Sequence, residues 1–227
     1  MKRYLAEFIG TFALVFAGTG AIVVNDVSGG AVSPVGIALS FGLVVMVMVY
    51  AVGDISGAHI NPAVTVGFWA ARRLSACELL PYILSQCLGA SAASLTLRVL
   101  FMGHPTLGVT SPSGSFSQSF VLEIVLTFFL MFVILCITTG AREKGLMTGV
   151  VVGAVVGLEA LFAGPISGAS MNPARSLGPA LVTGQLDSLW LYLIAPLLGA
   201  CLAILACRCV QERGCCSVPR GSQEGLG

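Results

Sequence analysis

Apolar residues along the chain gather into six long stretches separated by short polar breaks, at residues 4–24, 35–53, 79–101, 119–138, 146–163 and 188–208. Each comes close to the roughly 20 residues that an α-helix, rising 1.5 Å per residue, needs to cross the hydrocarbon core of a bilayer. The strict alternation of barrel strands is missing, so helices are what remains to satisfy the backbone in lipid. Two further apolar stretches, 63–71 and 174–182, are too short to cross. Each begins at the tripeptide Asn-Pro-Ala: Asn61, Pro62 and Ala63 in one case, Asn172, Pro173 and Ala174 in the other. Asn is among the best N-caps and Pro is favoured at the first helical position, where its missing N–H costs nothing. Both tripeptides therefore predict the start of a half-helix. The expected fold is an all-α membrane protein with six transmembrane helices and two half-helices.

The two short elements belong to an internal repeat. Gly53-Asp-Ile-Ser-Gly-Ala-His-Ile-Asn-Pro-Ala recurs as Gly164-Pro-Ile-Ser-Gly-Ala-Ser-Met-Asn-Pro-Ala, 111 residues later. Glu7-x3-Thr11-Phe12 is likewise echoed by Glu123-x3-Thr127-Phe128, 116 residues on. Each half, about 1–103 and 117–210, holds three spans. Three is odd, so the second half enters the membrane from the opposite side, the inverted arrangement in which ligand sites lie near the midplane. The residues leading into the half-helices, 56–60 and 167–171, must then be irregular at membrane depth, which is tolerated only where backbone is buried in protein or lines a wet cavity. Two helix N-termini meeting there each bring about half a positive charge. Their combined potential repels cations, including hydronium, while the Asn amides offer hydrogen bonds to water.

Composition narrows the function. The 227 residues are 56% hydrophobic and 9% charged, with a mean hydropathy of +0.97, against about 25% charged in soluble domains. Eleven Lys and Arg against ten Asp and Glu leave a net charge of +1, so no basic surface is available for nucleic acid. The 28 glycines suit close helix packing. In the six-span arrangement Lys2, Arg3, Arg72, Arg73, Arg142, Lys144, Arg208, Arg213 and Arg220 fall on one side, which predicts that this side, with both termini, is cytoplasmic. Arg98 and Arg175 fall outside that pattern, and Arg98 is expected to snorkel to the interface. The first stretch is too long for a signal-peptide core and is expected to be retained as a helix. The eight cysteines lack zinc-finger spacing and are expected to be unreactive thiols, with acylation near the membrane or a soft-metal site as the alternative. Residues 211–227, polar and Gly-rich, are expected to be a disordered tail. No cofactor or metal is expected. Two histidines, His59 and His104, and no nucleophile or phosphate-loop motif argue against an enzyme. A proton-coupled carrier, which also uses inverted repeats and buried carboxylates such as Glu7, Glu123 and Glu159, is the rival from another class. A junction protein docking through residues 104–118 is a third.

Over about residues 3–210 the chain resembles the aquaporin (major intrinsic protein) family, through both Asn-Pro-Ala boxes together with Glu7 and Glu123. The text GPISGASMNPARSLGPA is similar to the nodulin-26-like subgroup and its bacterial relatives. The resemblance implies a homotetramer in a cell membrane, with one pore per subunit, conducting water or small neutral solutes passively. It implies that Glu7 and Glu123 hold the backbone of the dipping loops and that His59 lines the cytoplasmic vestibule. It also implies a selectivity filter of Phe41, Ala160, Ala169 and Arg175. Water-selective members usually carry His where this chain has Ala160. With Ala169 also small, the expected filter is wide enough for glycerol, urea or undissociated boric, silicic or arsenious acid. Ser176 and Ala180 pull the other way, standing where glycerol facilitators usually have Asp and a basic residue, so a mainly water-selective pore stays open. Glu159 is expected either to face outward or bond backbone, or to pair with Arg175 at the pore mouth.

Overall fold

The computed structural model describes residues 1–139 and 146–210. Arg142, Lys144, Arg213, Arg220, Cys215, Cys216 and the expected tail lie outside the described residues. The chain forms α1 (Lys2–Val27), α2 (Ser33–Ser56), α3 (Pro62–Ala70), α4 (Ala76–Leu100), α5 (Phe116–Ile137), α6 (Thr148–Ser167), α7 (Pro173–Thr183) and α8 (Leu189–Val210). Six of these, all but α3 and α7, are long and apolar enough to cross a membrane. They run a few residues beyond the apolar stretches at most ends, because polar residues such as Ser33 and Glu78 complete the terminal turns.

The repeat is visible in the packing. In the first half α1 lies against α2 and α4; in the second, α5 lies against α6 and α8. The halves join where α2 meets α6, and each half-helix reaches across, α3 onto α8 and α7 onto α4. The α2–α6 crossing turns on Gly42 and Gly153, which are repeat mates. A Cβ on Gly42 would lie 2.7 Å from the Gly153 carbonyl oxygen, and one on Gly153 would lie 2.6 Å from that of Gly42. Only hydrogen at both positions lets the backbones touch, which is how helices gain contact in lipid, where apolar surface alone drives no association. The outward faces carry exposed Leu, Val and Phe, including Leu39, Leu43, Leu84, Leu88, Val121 and Phe129.

Arg98 Nη1 donates to the His104 carbonyl at 2.8 Å, fastening the α4–α5 connection. One expectation needs correction. Cys207 is disulfide-bonded and so is not a plain thiol, while Cys77, Cys87, Cys136, Cys201 and Cys209 are free.

Candidate functional site

The site grows out of two helix ends. α2 and α6 both stop with a left-handed glycine, Gly57 at φ 87° and Gly168 at φ 82°, a position that costs other residues a clash at Cβ. The following residues repeat the same unusual backbone: Ala58 at φ 47° and Ile60 at φ 43° in the first loop, Ala169 at φ 41° and Met171 at φ 54° in the second. Four non-glycine residues at positive φ cost on the order of 1 kcal/mol or more each, so strong partners must hold them. Glu7 and Glu123 are those partners.

Glu7 is completely buried in α1. Its Oε1 accepts from Ser56 Oγ at 2.7 Å and from the His59 N–H at 2.9 Å, and its Oε2 from the Ile60 N–H at 2.7 Å and Gln86 Nε2 at 2.8 Å. Glu123, equally buried in α5, accepts from Ser167 Oγ at 2.7 Å, the Ser170 N–H at 2.8 Å and the Met171 N–H at 2.8 Å. A carboxylate is the one side chain that can take three or four donors at once. That explains a buried acid in an apolar span better than a proton path does. Tyr82 and Tyr192 complete the frame in matching fashion, donating to the carbonyls of the repeat mates Ser56, at 2.9 Å, and Ser167, at 2.6 Å.

The loops deliver the chain into α3 and α7 through the two Asn caps. Asn61 Oδ1 accepts from the Ala63 N–H at 2.8 Å; Asn172 Oδ1 accepts from the N–H groups of Ala174 at 3.0 Å and Arg175 at 3.3 Å. Pro62 and Pro173 occupy the first helical position. The amide ends of the two Asn side chains cross between the halves: Asn61 Nδ2 donates to the Met171 carbonyl at 2.8 Å and Asn172 Nδ2 to the Ile60 carbonyl at 2.9 Å. The two N-termini therefore do meet, and one N–H of each amide fastens the loops together. A carboxamide has a second N–H, and both Asn residues border an internal cavity.

This cavity has a volume of about 50 Å³, room for a few waters in file. Phe41, Ala160, Ala169 and Arg175 all line it, as do His59, Asn61 and Asn172. Arg175 is 2% exposed, donates from Nη1 to the Gly108 carbonyl at 2.8 Å and holds its guanidinium 5.2 Å from the centre of the Phe41 ring. A desolvated cation over an aromatic face is stabilised by about 2 kcal/mol. The contact fixes charge and apolar wall relative to each other. His59 stacks on Phe68 at 4.5 Å and sets Nδ1 3.2 Å from Thr65 Oγ1.

Glu159 follows neither expected course. It is 4% exposed, so it does not face outward, and it makes no ion pair with Arg175. Its Oε2 is enclosed without a hydrogen-bond partner. Several contributors escaped sequence reasoning. Gln86, Tyr82 and Tyr192 lie in apolar spans without a motif, and the two tyrosines, 110 residues apart, miss the 111-residue repeat interval by one. Gly108 and Thr110 sit in a connection that carries no periodic pattern. Ser56 and Ser167 were inside the repeated box and could have been picked out as its invariant polar pair.

Comparison with known proteins gives one answer. The family profile described as Major intrinsic protein matches residues 1–207. Aquaporin NIP1-1 of Zea mays is 51% identical over 201 residues, spanning 88% of this chain and 71% of that protein. Nodulin-26 of Glycine max is 46% identical over 201 residues, spanning 88% and 74%. Among solved structures, the aquaglyceroporin from Plasmodium falciparum superposes with a TM-score of 0.81 at 27% identity, covering 90% of this chain and 93% of that one.

Proposed function

Because the chain belongs to the major intrinsic protein family, and is thus a multi-pass membrane channel for water and small neutral solutes and not an enzyme, we propose that its pore admits glycerol, urea and undissociated metalloid acids as well as water. The observation that carries the reading is the make-up of one stretch of the cavity wall. There a buried guanidinium and an aromatic ring share the lining with two alanines, Ala160 and Ala169. A solute entering a narrow apolar passage gives up water, and fixed donors must replace what it loses. Arg175 offers those donors without a proton to lose. Phe41 takes the carbon side of a polyol, and the alanines leave it room.

Proton and cation exclusion rests on the paired half-helices. The α3 and α7 N-termini, held face to face by the crossed Asn amides, bring about half a positive charge each to the midplane. Conduction is passive and bidirectional, since Glu7 and Glu123 are occupied by donors from the dipping loops, the ends of the helices that precede them and Gln86. The channel is proposed to be a homotetramer in a cell membrane with both termini cytoplasmic. Its apolar outer helix faces and the run of Lys2, Arg3, Arg72, Arg73 and Arg208 on one side support that arrangement.

The test is stopped-flow light scattering on proteoliposomes under water, glycerol and urea gradients, with Ala160→His beside the wild type. Wild-type vesicles should pass glycerol well above protein-free ones, and Ala160→His should lose glycerol while keeping water. Wild-type vesicles that pass water and exclude glycerol would establish a mainly water-selective pore instead.

A further inference from the structure

The two dipping loops are built alike except in how a third partner reaches them, and the difference singles out Thr110. In each half, the residue two before the box Asn is tied to the residue four after it. In the first half these are His59 and Thr65, 3.2 Å apart, and Thr65 Oγ1 donates to the Asn61 carbonyl at 3.0 Å. In the second they are Ser170 and Ser176, 2.5 Å apart, and Ser170 Oγ donates to the Asn172 carbonyl at 3.0 Å. Each pair is completed from outside. Gln86 Nε2, on a spanning helix, donates to Thr65 Oγ1 at 2.9 Å. Thr110 Oγ1, on the α4–α5 connection, donates to Ser176 Oγ at 2.8 Å.

The hydroxyl protons of the second set run one way. Thr110 donates to Ser176, Ser176 to Ser170, and Ser170 to the Asn172 carbonyl, so each hydroxyl gives one proton, and Ser176 and Ser170 each accept at least one bond as well. All three side chains are at least 95% buried. Ser170 borders the cavity, whereas Thr110 and Ser176 lie behind its wall. Two residues before Thr110, the Gly108 carbonyl holds Arg175 Nη1, and the Ser188 hydroxyl pins the Thr110 carbonyl at 3.2 Å. The connection therefore grips both the backbone around Ala169 and the guanidinium of Arg175.

We propose that Thr110 is a positioning residue of the selectivity filter, acting through Ser176 and Ser170 to set the spacing between Ala169 and Arg175 and so the solute preference of the pore. The inference rests on the reading of Phe41, Ala160, Ala169 and Arg175 as the filter. Thr110 touches no solute; it holds the residues that do.

The test compares Thr110→Val, which keeps the shape and removes the hydroxyl, with Thr110→Ser, which keeps the hydroxyl, in proteoliposomes with water and glycerol gradients. Thr110→Val should raise the glycerol-to-water permeability ratio about threefold or more, the effect of one neutral hydrogen bond lost from the positioning set. Thr110→Ser should return the ratio to the wild-type value. If both variants keep the wild-type ratio, or both shift it equally, the proposal is wrong. Ser176→Ala, which breaks the same relay at its centre, must move the ratio in the direction of Thr110→Val, and it stands in for that variant if Thr110→Val yields no folded channel. Should the wild type exclude glycerol, the wide-filter reading fails by itself. The relay is then tested by whether glycerol flux appears in Thr110→Val and not in Thr110→Ser.

Discussion

Replacing Glu123 with Gln changes one atom and removes the feature that the second loop depends on. The carboxylate takes Ser167 Oγ and the Ser170 N–H on Oε1, at 2.7 and 2.8 Å, and the Met171 N–H on Oε2 at 2.8 Å. A carboxamide has one accepting oxygen, so in either orientation at least one backbone N–H faces an NH2 group. Hydrogen bonds to a charged group are each worth about 1.5–3 kcal/mol, roughly twice a neutral one. One such bond is lost outright and the rest are weakened, giving an expected loss of about 3–5 kcal/mol, in line with breaking a buried charged network. Polar contacts between helices in bilayers average only ~0.6 kcal/mol, because separated helices find other partners. Residues 168–172 have no helix of their own to fall back on, so the larger figure should apply. The assay is SDS titration of the protein in mixed micelles, followed by Trp190, which stacks near Phe116 and Phe120 at the start of α5. Ser119→Ala is the control, since Ser119 Oγ is buried one turn earlier on α5 without a hydrogen-bond partner. Glu123→Gln should unfold at clearly lower SDS and show reduced water flux per reconstituted channel. A loss under about 1 kcal/mol, or one no greater than that of Ser119→Ala, would refute the bracing role.

Arg175→Ala should let some cations through, read as sodium leak in the same vesicles, because it removes the only charge among the described residues lining the cavity and leaves the half-helix dipoles to repel cations alone; an unchanged leak rate would mean that Arg175 adds nothing to the barrier. Gly89→Ala and Gly199→Ala should each cost about 1–3 kcal/mol or more in SDS unfolding, since the new Cβ would sit 2.3 Å from the Phe8 carbonyl oxygen in one case and the Ile124 carbonyl oxygen in the other. Gly103→Ala, with nothing within 4 Å, should be silent, and equal costs at all three positions would contradict the packing argument. Glu159→Gln should leave stability unchanged or raise it, because an amide cannot take up charge in a site where a carboxyl oxygen is enclosed without a partner. A lower unfolding midpoint would mean that Glu159 serves an interaction absent from the described contacts.

What could be read from the sequence was what local chemistry specifies. An apolar run of a given length makes a span wherever it sits, and Asn-Pro caps a helix by contacts within three residues, so the six spans and the starts of α3 and α7 were legible. The repeat added their opposed orientation, and it also made Glu7 and Glu123 stand out. Their bonding could not be counted in advance, because Gln86 reaches Glu7 from a helix 79 positions away. The crossing of Asn61 and Asn172 onto each other's loop carbonyls depends on the two halves meeting, which no single segment encodes. The α4–α5 connection carries no motif and no charged residue. Its contribution is a backbone carbonyl at Gly108 and one hydroxyl at Thr110, and a carbonyl has no sequence signature at all.

The repeat also shows where selectivity has to come from. Stepping 111 residues carries Phe41 to Val152, and stepping back by the same interval carries Ala160 to Val49, Ala169 to Ala58 and Arg175 to Val64. All eight line the cavity. The repeat thus matches the four proposed filter residues with four counterparts from the opposite halves, all lining the same cavity. The repeat alone makes the two sets equal. The side chains break the tie, since one set is Val49, Ala58, Val64 and Val152 and the other carries a guanidinium against an aromatic ring. An entirely apolar set offers a solute nothing in exchange for its water, and apolar constrictions conduct or dewet according to width alone. On the proposed filter, discrimination by chemistry falls to the set that holds Arg175, the residue whose guanidinium the Gly108 carbonyl accepts from. The scaffold is symmetric because two opposed half-helices make the barrier to protons, and the asymmetry is confined to the few positions where a neutral solute is chosen.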